Sequence, residues 1–361
     1  MNNKKILFIS LATMGGCQRV TINYAKILHD AGYDCEFLLW VDSPDDKNVV
    51  HELLPPDIPY TFIRCRLRSL PVTLYRFIRK QGGYDCVFSS WGLFSISLCL
   101  AKFLPCNRIK RLVIRDENMP DRHAPYFCRL FRWFGWKADA LIAQTAEMKQ
   151  SMQEHYGLKK NVVVIHNPLD KDWIEHCIDQ HSPHSALEGD PVYIASGRIN
   201  PQKDYVTMIK AFSRVVKESQ SAHLYIMGDS GNDESYLNKV TATIAEHNLQ
   251  NRVTLLGFQM NPYIYMKDAN VLVLSSIYEG LPNVVLEALY LGKPVAVTTC
   301  IPYLEKIIQD GVNGYKAKPL DYEGLADAMR KAARITGLPL RNDVNQSDKT
   351  IVELFKRLTN R

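Results

Sequence analysis

The sequence predicts an α/β protein built from two doubly wound domains. Short apolar or β-branched segments alternate with amphipathic helices along most of the chain, a pattern typical of parallel sheets with helices on both faces. The 361 residues exceed what one hydrophobic core usually serves, and the alternation stops at residues 167–191. We therefore expect an N-terminal domain over 1–170, a linker over 171–190, a C-terminal domain over 191–345 and a last helix within 346–361.

The N-terminal domain begins with a predicted buried strand, Ile6–Ser10, a glycine turn at Gly15-Gly16 and an amphipathic helix over Gln18–Asp30. Lys4-Lys5 and the apolar run after them also fit a secretion signal, but a strand, turn and helix followed by a second strand describe the stretch better. The remaining strands of this domain are predicted at Cys35–Val41, Cys86–Ser89, Arg111–Ile114, Ala140–Ala143 and Val162–Ile165.

The C-terminal domain repeats the alternation after the linker. Its strands are predicted at Val192–Ala195, Leu224–Met227, Val253–Leu256, Val271–Leu274 and Pro294–Thr298. The last helix is predicted over Asp348–Asn360. Its apolar stripe consists of Ile351, Leu354, Phe355 and Leu358.

The composition is that of a soluble globular protein, with 46% hydrophobic and 23% charged residues. The nine cysteines form no CxxC pair and no Cys/His cluster at zinc spacing, which favours free thiols in a reducing compartment and no metal site. No apolar run approaches the roughly eighteen residues of a membrane span. The chain has neither the GxGxxG of a dehydrogenase nor the GxxxxGK[ST] of a P-loop enzyme, so both classes are excluded.

Positive charge is concentrated in one part of the N-terminal domain. Residues 61–137 contain fifteen Lys and Arg against four acids, a local net charge of +11 within a total of +6. Aromatic residues stand among these cations, which suits contact with an anionic membrane surface through residues 64–137. A solvated helix face whose aromatics belong to the core is the alternative. No nucleic-acid-binding motif accompanies the charge, so nucleic acid is not an expected partner.

The most informative segment is Ser196–Tyr205, which directly follows the predicted strand Val192–Ala195. A turn in this segment carries two cations, Arg198 and Lys203. Such a pair can clamp an anionic group, and a diphosphate is the anion that it suits best.

A second segment, Glu279–Glu287, follows about eighty residues later. Glu279 stands just before a predicted helix, Pro282 suits the first helical position, and Glu287 lies two turns into the helix. The free N–H groups at the start of a helix favour the oxygens of a ligand, and the helix dipole favours negative charge. Because the neighbours of Glu287 are apolar, we expect this carboxylate in a buried helix with a polar partner.

In their order, context and spacing, these two segments resemble the donor site of family 4 of the retaining glycosyltransferases. The resemblance implies the GT-B fold, in which two Rossmann-like domains face an interdomain cleft and the C-terminal helix crosses back to the first domain. It is dense in the second half of the chain, where Tyr225–Gly231, Val253–Phe258 and Asp268–Ser276 resemble successive strands and turns of the family.

The resemblance also implies roles for individual residues. Arg198 and Lys203 would bind the donor diphosphate, and Glu279 would face the donor sugar. Glu287 would accept hydrogen bonds from the ribose, and the main chain around Phe258 would receive the base. The backbone near the sugar hydroxyls and the phosphates would be that of Gly15, Gly16, Gly280, Leu281, Pro282, Asn283 and Val284.

The implied reaction retains the anomeric configuration, and the leaving diphosphate takes the acceptor's proton while Arg198 and Lys203 stabilise its charge. It needs no protein nucleophile, metal or other cofactor. Many relatives carry a His at or near the place of Asp116, so Asp116 is a candidate catalytic residue, with His123 nearby. Asp170-Lys-Asp172 matches the DxD metal motif of the other main glycosyltransferase fold, but it stands in the predicted linker and is attributed to chance.

We expect a cytoplasmic hexosyl- or N-acetylhexosaminyltransferase that is peripherally associated with the inner face of the membrane. Its donor would be a nucleotide sugar, UDP-linked, and its acceptor a lipid-linked or other glycan in surface-polysaccharide assembly. Two alternatives stay open: a soluble small-molecule acceptor, and a catalytically inactive relative that binds a nucleotide sugar. The presence of Arg198, Lys203, Glu279 and Glu287 argues against the inactive relative.

Overall fold

The computed structural model describes residues 4–13, 15–41, 50–90, 92–158, 161–179, 187–231, 234–338 and 347–360. The chain divides into two compact units. The first comprises Met1–Leu169 together with Asn345–Arg361, and the second comprises Asp170–Val344. The last segment of the chain therefore belongs to the first unit.

Strands and helices alternate in both units. The strands are β1 Lys5–Leu11, β2 Asp34–Trp40, β3 Tyr60–Ile63, β4 Tyr84–Ser89, β5 Ile109–Arg115, β6 Ala140–Ala143, β7 Val162–Val164, β8 Val192–Ser196, β9 His223–Met227, β10 Val253–Gly257, β11 Val271–Leu274, β12 Val295–Thr298 and β13 Gly314–Ala317. The helices are α1 Gly16–Asp30, α2 Leu70–Lys80, α3 Gly92–Ala101, α4 Pro125–Phe134, α5 Ala146–His155, α6 Lys171–Asp179, α7 Tyr205–Glu218, α8 Glu234–Glu246, α9 Tyr263–Asp268, α10 Asn283–Tyr290, α11 Pro302–Ile307, α12 Tyr322–Ala332 and α13 Ser347–Thr359.

The first unit contains a sheet with the strand order β3-β2-β1-β4-β5-β6-β7. Neighbouring strands in this order pair in parallel, so that Ile6 of β1 lies opposite both Cys35 of β2 and Cys86 of β4. From β1 the chain moves outward to β2, whereas β4 lies on the other side of β1. The order reverses between β1 and β4, and ligands of such sheets bind outside the carboxyl ends of the strands at this reversal.

Helices cover both faces of the first sheet. On one face α2, α3 and α4 contribute the buried side chains Leu74, Phe94 and Phe131. On the other face α1 contributes Tyr24 and α13 contributes Phe355, both fully buried. The prediction that the C-terminal helix crosses back to the first domain is confirmed.

The second unit contains a sheet with the strand order β10-β9-β8-β11-β12-β13, again with parallel pairing. Its core includes Phe212 of α7, Val240 of α8 and Met329 of α12. The order reverses between β8 and β11 in the same way as between β1 and β4. Both halves are Rossmann-like, and the predicted α/β class is confirmed.

Three features differ from the sequence-based predictions. The edge strands β3 and β13 were not predicted, because four residues at a sheet edge give little periodicity. The predicted linker 171–190 begins with a helix, α6, whose Ile174 and Cys177 are buried, and its residues 180–186 lie outside the described ones. Pro282 is the N-cap of α10 and not its first residue.

Candidate active site

The predicted diphosphate loop folds tightly at the carboxyl end of β8. The carbonyl of Gly197 accepts a hydrogen bond from the Tyr205 hydroxyl at 2.8 Å. A Cβ on Gly228, which has φ +140°, would lie 2.0 Å from that carbonyl oxygen, so only glycine allows β9 to end so close to the loop. Asn200 Oδ1 accepts a hydrogen bond from the Lys203 N–H at 3.2 Å and caps the turn that carries Lys203.

An ion pair joins the two predicted donor segments. Lys203 Nζ lies 2.6 Å from Glu279 Oε1, although the residues are separated by 76 positions in sequence. The same carboxylate oxygen accepts a hydrogen bond from the Ser276 hydroxyl at 2.7 Å, and Gln202 Nε2 lies 3.5 Å from Oε2. The side chains of Lys203 and Glu279 are only 18% and 10% exposed, so the pair is held in a setting of reduced dielectric.

Arg198 differs from Lys203 in its surroundings. It is exposed, and no carboxylate of the described residues forms a salt bridge with it. Its guanidinium stands on the same loop as the Lys203–Glu279 pair. The predicted diphosphate loop therefore carries a second cation without a carboxylate partner among the described residues, and an anionic ligand can bind it.

The segment after Glu279 leads directly into α10. Gly280, Leu281 and Pro282 are buried, and α10 begins at Asn283. The Val285 N–H donates to the Pro282 carbonyl at 3.1 Å, which closes the first turn of the helix. The start of α10 thus lies four residues after Glu279 in the chain, as the sequence predicts.

Glu287 is buried inside α10, with 7% exposure. The Tyr263 hydroxyl donates to its Oε1 at 3.3 Å. The expectation of a polar partner for this carboxylate is thereby met. Phe258 is half-buried directly after β10, and the carbonyl of the preceding Gly257 accepts a hydrogen bond from the Gly228 N–H at 2.8 Å.

In the first unit, the glycine turn follows β1 at the point where the strand order reverses. Gly15 is the N-cap of α1 with extended φ of −168°, and Gly16 is the first helical residue. A Cβ on Gly15 would lie 2.6 Å from Gln18 Oε1, the end of a flexible side chain. Any residue can adopt the extended backbone conformation of Gly15, so φ does not require glycine at this position. A glycine here would matter only by letting a ligand come close to the backbone.

Asp116 stands directly after β5, with 8% exposure, and its carboxylate is fully engaged in the fold. Oδ2 accepts from the Tyr156 hydroxyl at 2.5 Å, while Oδ1 contacts His123 Nε2 at 3.0 Å and accepts from the Glu117 N–H at 2.8 Å. Burial lowers the pKa of His123, but the hydrogen bond and charge of Asp116 raise it more, so that the net shift is upward. These contacts tie a loop together, and a direct catalytic role for Asp116 stays a prediction.

Each half of the chain matches a known glycosyltransferase family. A family model described as Glycosyl transferases group 1 matches residues 178–350, and one described as Glycosyltransferase Family 4 matches residues 14–173. Together the two models span both units. The chain belongs to the group 1 glycosyltransferases.

Curated relatives of this glycosyltransferase come from several organisms. It is 35% identical to an uncharacterized glycosyltransferase of Methanocaldococcus jannaschii over 47% of this chain and 42% of that one. It is 23% identical to the lipopolysaccharide core biosynthesis glycosyltransferase LpsD of Rhizobium meliloti over 80% and 77% of the chains. It is 27% identical to the N-acetylgalactosamine-N,N'-diacetylbacillosaminyl-diphospho-undecaprenol 4-alpha-N-acetylgalactosaminyltransferase of Campylobacter jejuni over 45% and 42%. The first and third alignments thus span less than half of the relative.

Solved structures share the fold at low identity. HepE of Anabaena in complex with UDP-glucose superposes with a TM-score of 0.80 over 99% of this chain and 100% of that one, at 20% identity. The lipopolysaccharide outer core galactosyltransferase WaaB in its apo form gives a TM-score of 0.65 over 98% and 95%, at 18% identity. The predicted GT-B fold is confirmed.

Three residues that contact the Lys203–Glu279 pair in the candidate site were not predicted. Ser275, Ser276 and Gln202 support the Lys203–Glu279 pair, and the serines follow a buried strand, which is the signal that sequence analysis passed over. In the first unit Arg115, which directly precedes the candidate residue Asp116, was itself a candidate for contact with acceptor or donor, and that stays a prediction. It is 2% exposed at the end of β5, and its Nη2 donates to Asn167 Oδ1 at 2.6 Å.

The DxD match has a structural explanation in this glycosyltransferase. Asp170 Oδ1 accepts a hydrogen bond from the Trp173 N–H at 3.0 Å, so it caps α6. Within the described ranges, no three His, Cys, Asp or Glu side chains gather in a way that would hold a metal. The independence of the reaction from metal stays a prediction. In the same ranges no helix is long and apolar enough to cross a membrane.

A groove of about 680 Å³ lies at the amino ends of the strands of the first sheet, around Lys5, Asp34 and Asp85. Its charges are paired: Lys5 Nζ lies 3.8 Å from Asp34 Oδ2, and Lys110 Nζ lies 2.8 Å from Asp85 Oδ1. Because it opens at the amino ends of β1, β2 and β4, it is not part of the candidate site.

Proposed function

We propose that this chain transfers a sugar from a UDP-linked donor to a lipid-linked or other glycan acceptor, with retention of the anomeric configuration, in surface-polysaccharide assembly. The observation that carries the proposal is the Lys203–Glu279 pair at the strand reversal of the second unit, with the exposed cation Arg198 on the same loop. This arrangement offers two cations to a diphosphate and one carboxylate to sugar hydroxyls.

The diphosphate is the chemical group that best fits this arrangement. Lys203 is neutralised by Glu279, whereas Arg198 has no such partner among the described side chains. A diphosphate carries more negative charge than one carboxylate and can accept hydrogen bonds from both cations. It therefore draws Lys203 away from Glu279 and leaves that carboxylate to the sugar.

The proposed reaction needs no covalent enzyme intermediate. The bond between the anomeric carbon and the diphosphate oxygen breaks, and the acceptor hydroxyl oxygen bonds to the same face of that carbon. The acceptor's proton passes to the leaving diphosphate. Arg198 and Lys203 stabilise the negative charge that grows on the diphosphate as the bond breaks.

The compared proteins support the choice of donor and acceptor. HepE is solved with UDP-glucose, and the name of the Campylobacter relative specifies a sugar chain on diphospho-undecaprenol. The name of LpsD places it in lipopolysaccharide core biosynthesis. A nucleotide-sugar donor and a lipid-linked acceptor therefore both have precedent among proteins that resemble this chain.

We also propose that the first unit rests on the inner, anionic face of a membrane. Helix α4 buries Phe127 and Phe131 but exposes Tyr126 and Trp133, at 66% and 64%. Lys137 Nζ lies 4.3 Å from the ring centre of Phe103 and 4.4 Å from that of Trp136, two further exposed aromatics. Exposed aromatics among cations suit the headgroup region of a bilayer.

The donor site is tested by replacing Arg198 or Lys203 with Ala. Each change removes one positive charge aimed at a developing anion, so we expect turnover to fall on the order of a hundredfold or more. Turnover is measured by release of UDP from the nucleotide sugar that most raises the melting temperature in a screen of UDP-sugars. Lys217→Ala, which removes an exposed cation from α7 of the same unit, is the matched control and should keep normal activity.

Arg198→Ala is the cleaner of the two variants, since removal of Lys203 also leaves the Glu279 carboxylate without its cation. Near-normal turnover in a folded Arg198→Ala protein would contradict the proposed site. A wild-type protein that binds a nucleotide sugar but neither hydrolyses nor transfers it would favour the inactive relative.

A further inference from the structure

Two adjacent buried serines follow β11 and hold the two halves of the candidate site. Ser275 is 1% exposed, and its hydroxyl donates to the backbone carbonyl of Lys203 at 2.7 Å. Ser276 is fully buried, and its hydroxyl donates to Glu279 Oε1 at 2.7 Å. The Thr298 hydroxyl of β12 donates to the Ser276 carbonyl at 2.6 Å and fixes this segment to the sheet.

The geometry gives the serines different tasks. Ser275 contacts the main chain of Lys203, so it fixes where the loop that carries the cation begins its turn into α7. Ser276 contacts the carboxylate of Glu279 itself. The first serine therefore positions the side of the site that meets the diphosphate, and the second positions the side that meets the sugar.

The task of Ser276 becomes important when Lys203 turns toward a ligand. Glu279 Oε1 receives both Lys203 Nζ and the Ser276 hydroxyl, while Oε2 is 3.5 Å from Gln202 Nε2. A diphosphate that withdraws Lys203 leaves a buried carboxylate without its cation, which is costly unless hydrogen bonds remain. Ser276 keeps one short hydrogen bond on Glu279 throughout this exchange.

We propose that Ser275 and Ser276 are positioning residues for sugar transfer, Ser275 for the diphosphate-binding loop and Ser276 for the Glu279 carboxylate. The inference rests on the proposed function, because it assigns Lys203 to the diphosphate and Glu279 to the sugar. It adds the means by which Glu279 stays in place when its cation is drawn away.

Three titratable groups surround the Glu279 carboxylate. They are Lys203, the Cys300 thiol and the Tyr205 hydroxyl. Burial raises the pKa of Cys300 to about 12, with the charge of Glu279 adding to the shift. Burial likewise raises the pKa of Tyr205 well above its usual value, again with a contribution from Glu279. Both groups are therefore neutral near pH 7, and Lys203 is the charged group that faces Glu279.

Ser276→Ala and Ser275→Ala test the inference because the first should change kcat and the second the Kd for UDP. Ser276→Ala should lower kcat roughly tenfold or more and leave the Kd for UDP within about twofold, because UDP has no sugar to meet Glu279. Ser275→Ala should raise the Kd for UDP by roughly twofold to tenfold.

The Kd for UDP is measured by isothermal titration calorimetry, and kcat by UDP release from the UDP-sugar chosen by thermal shift. Ser276→Thr keeps the hydroxyl and should restore most of the kcat that Ser276→Ala loses. Ser95→Ala, a change at a serine that is fully buried in the first unit, is the control and should alter neither quantity.

The outcomes separate this inference from the proposed function. A wild-type protein that binds UDP and transfers sugar, together with an unchanged kcat in Ser276→Ala, would overturn the inference alone. Equal changes of UDP affinity in both serine variants would also overturn it, because they would indicate general loosening of the loop. A wild-type protein that fails to bind UDP would overturn the proposed function and the inference together.

Discussion

The Asp116 carboxylate is the centre of a small hydrogen-bond network in the first unit. It links Tyr156 at the end of α5 to His123 just before α4. The ring of His123 also lies 4.8 Å from the ring of Phe127, which is buried on α4. The network therefore connects the end of β5 to the amphipathic helix, and its strength depends on the charge of His123.

The pH dependence of this network follows from the direction of the pKa shift. Burial lowers the pKa of His123, but Asp116, Glu117 and Asp121 raise it further than burial lowers it. A raised pKa in the folded state stabilises the fold fully below the unfolded value of about 6.5, and this contribution is lost as pH rises through the folded value.

We predict that His123→Gln lowers the melting temperature most below about pH 6.5 and progressively less as the pH rises above it. The melting temperatures of wild type and variant are compared by differential scanning fluorimetry from pH 5.5 to 9. In an Asp116→Asn background the pH dependence of the difference should largely vanish. A difference that grows with pH would show that His123 is stabilised in its neutral form.

Helices α2 and α4 carry the surface that we propose faces the membrane. Both helices pack on α3 through their apolar stripes and leave cations and aromatics exposed. The five arginines tested below are all exposed: Arg64, Arg66, Arg68, Arg76 and Arg79. Each cation near an anionic bilayer contributes about 1 kcal/mol, screened over a Debye length of roughly 10 Å.

Replacing these five arginines with Glu should abolish co-sedimentation with vesicles of anionic phospholipid and spare UDP binding by the second unit. Wild-type binding should weaken sharply as salt is raised. The control replaces three exposed lysines of the second unit, Lys217, Lys239 and Lys267, with Glu and should sediment as the wild type does. A wild-type protein that stays in the supernatant at low salt would contradict the membrane proposal and favour a soluble acceptor.

The whole molecule consists of two units with separate hydrophobic cores, and the first core is completed by the last helix. Phe355 of α13 is fully buried with a ring 6.3 Å from that of Phe88, and Arg111 Nε of β5 donates to the Leu358 carbonyl at 3.1 Å. Ser347 donates to the His166 carbonyl at 2.8 Å. The stability of the N-terminal unit therefore depends on residues that come last in the chain.

Phe355→Ala should lower the free energy of unfolding of the first unit by about 3–5 kcal/mol, the usual range for truncation of a buried phenylalanine. Chemical denaturation monitored by tryptophan fluorescence measures the change. The Kd for UDP should stay within about twofold, since the cations proposed to bind the diphosphate, Arg198 and Lys203, lie in the second unit. Lys356→Ala, an exposed neighbour on α13, should change stability by no more than about 0.5 kcal/mol.

Local patterns in the sequence predicted most of the strands, the α/β class and the segments that hold the candidate donor residues. The run Val192–Ala195 and the cations after it indicated a loop at the end of a buried strand, and the structure has β8 and this loop there. Those features depend on periodicity and turn chemistry within a few residues of each other. The short edge strands and α6 were missed because they bury too few apolar residues to leave a pattern.

The tertiary structure alone decided which side chains meet. Pairing of β8 with β11 brings Lys203 to Glu279 across 76 residues and places Ser276 beneath the same carboxylate. Likewise, only the tertiary structure shows that Tyr156, at the end of α5, donates to the Asp116 carboxylate at the end of β5. A sequence pattern records whether a residue faces a core, whereas an ion pair depends on the order of strands in a sheet, which is a property of non-local pairing.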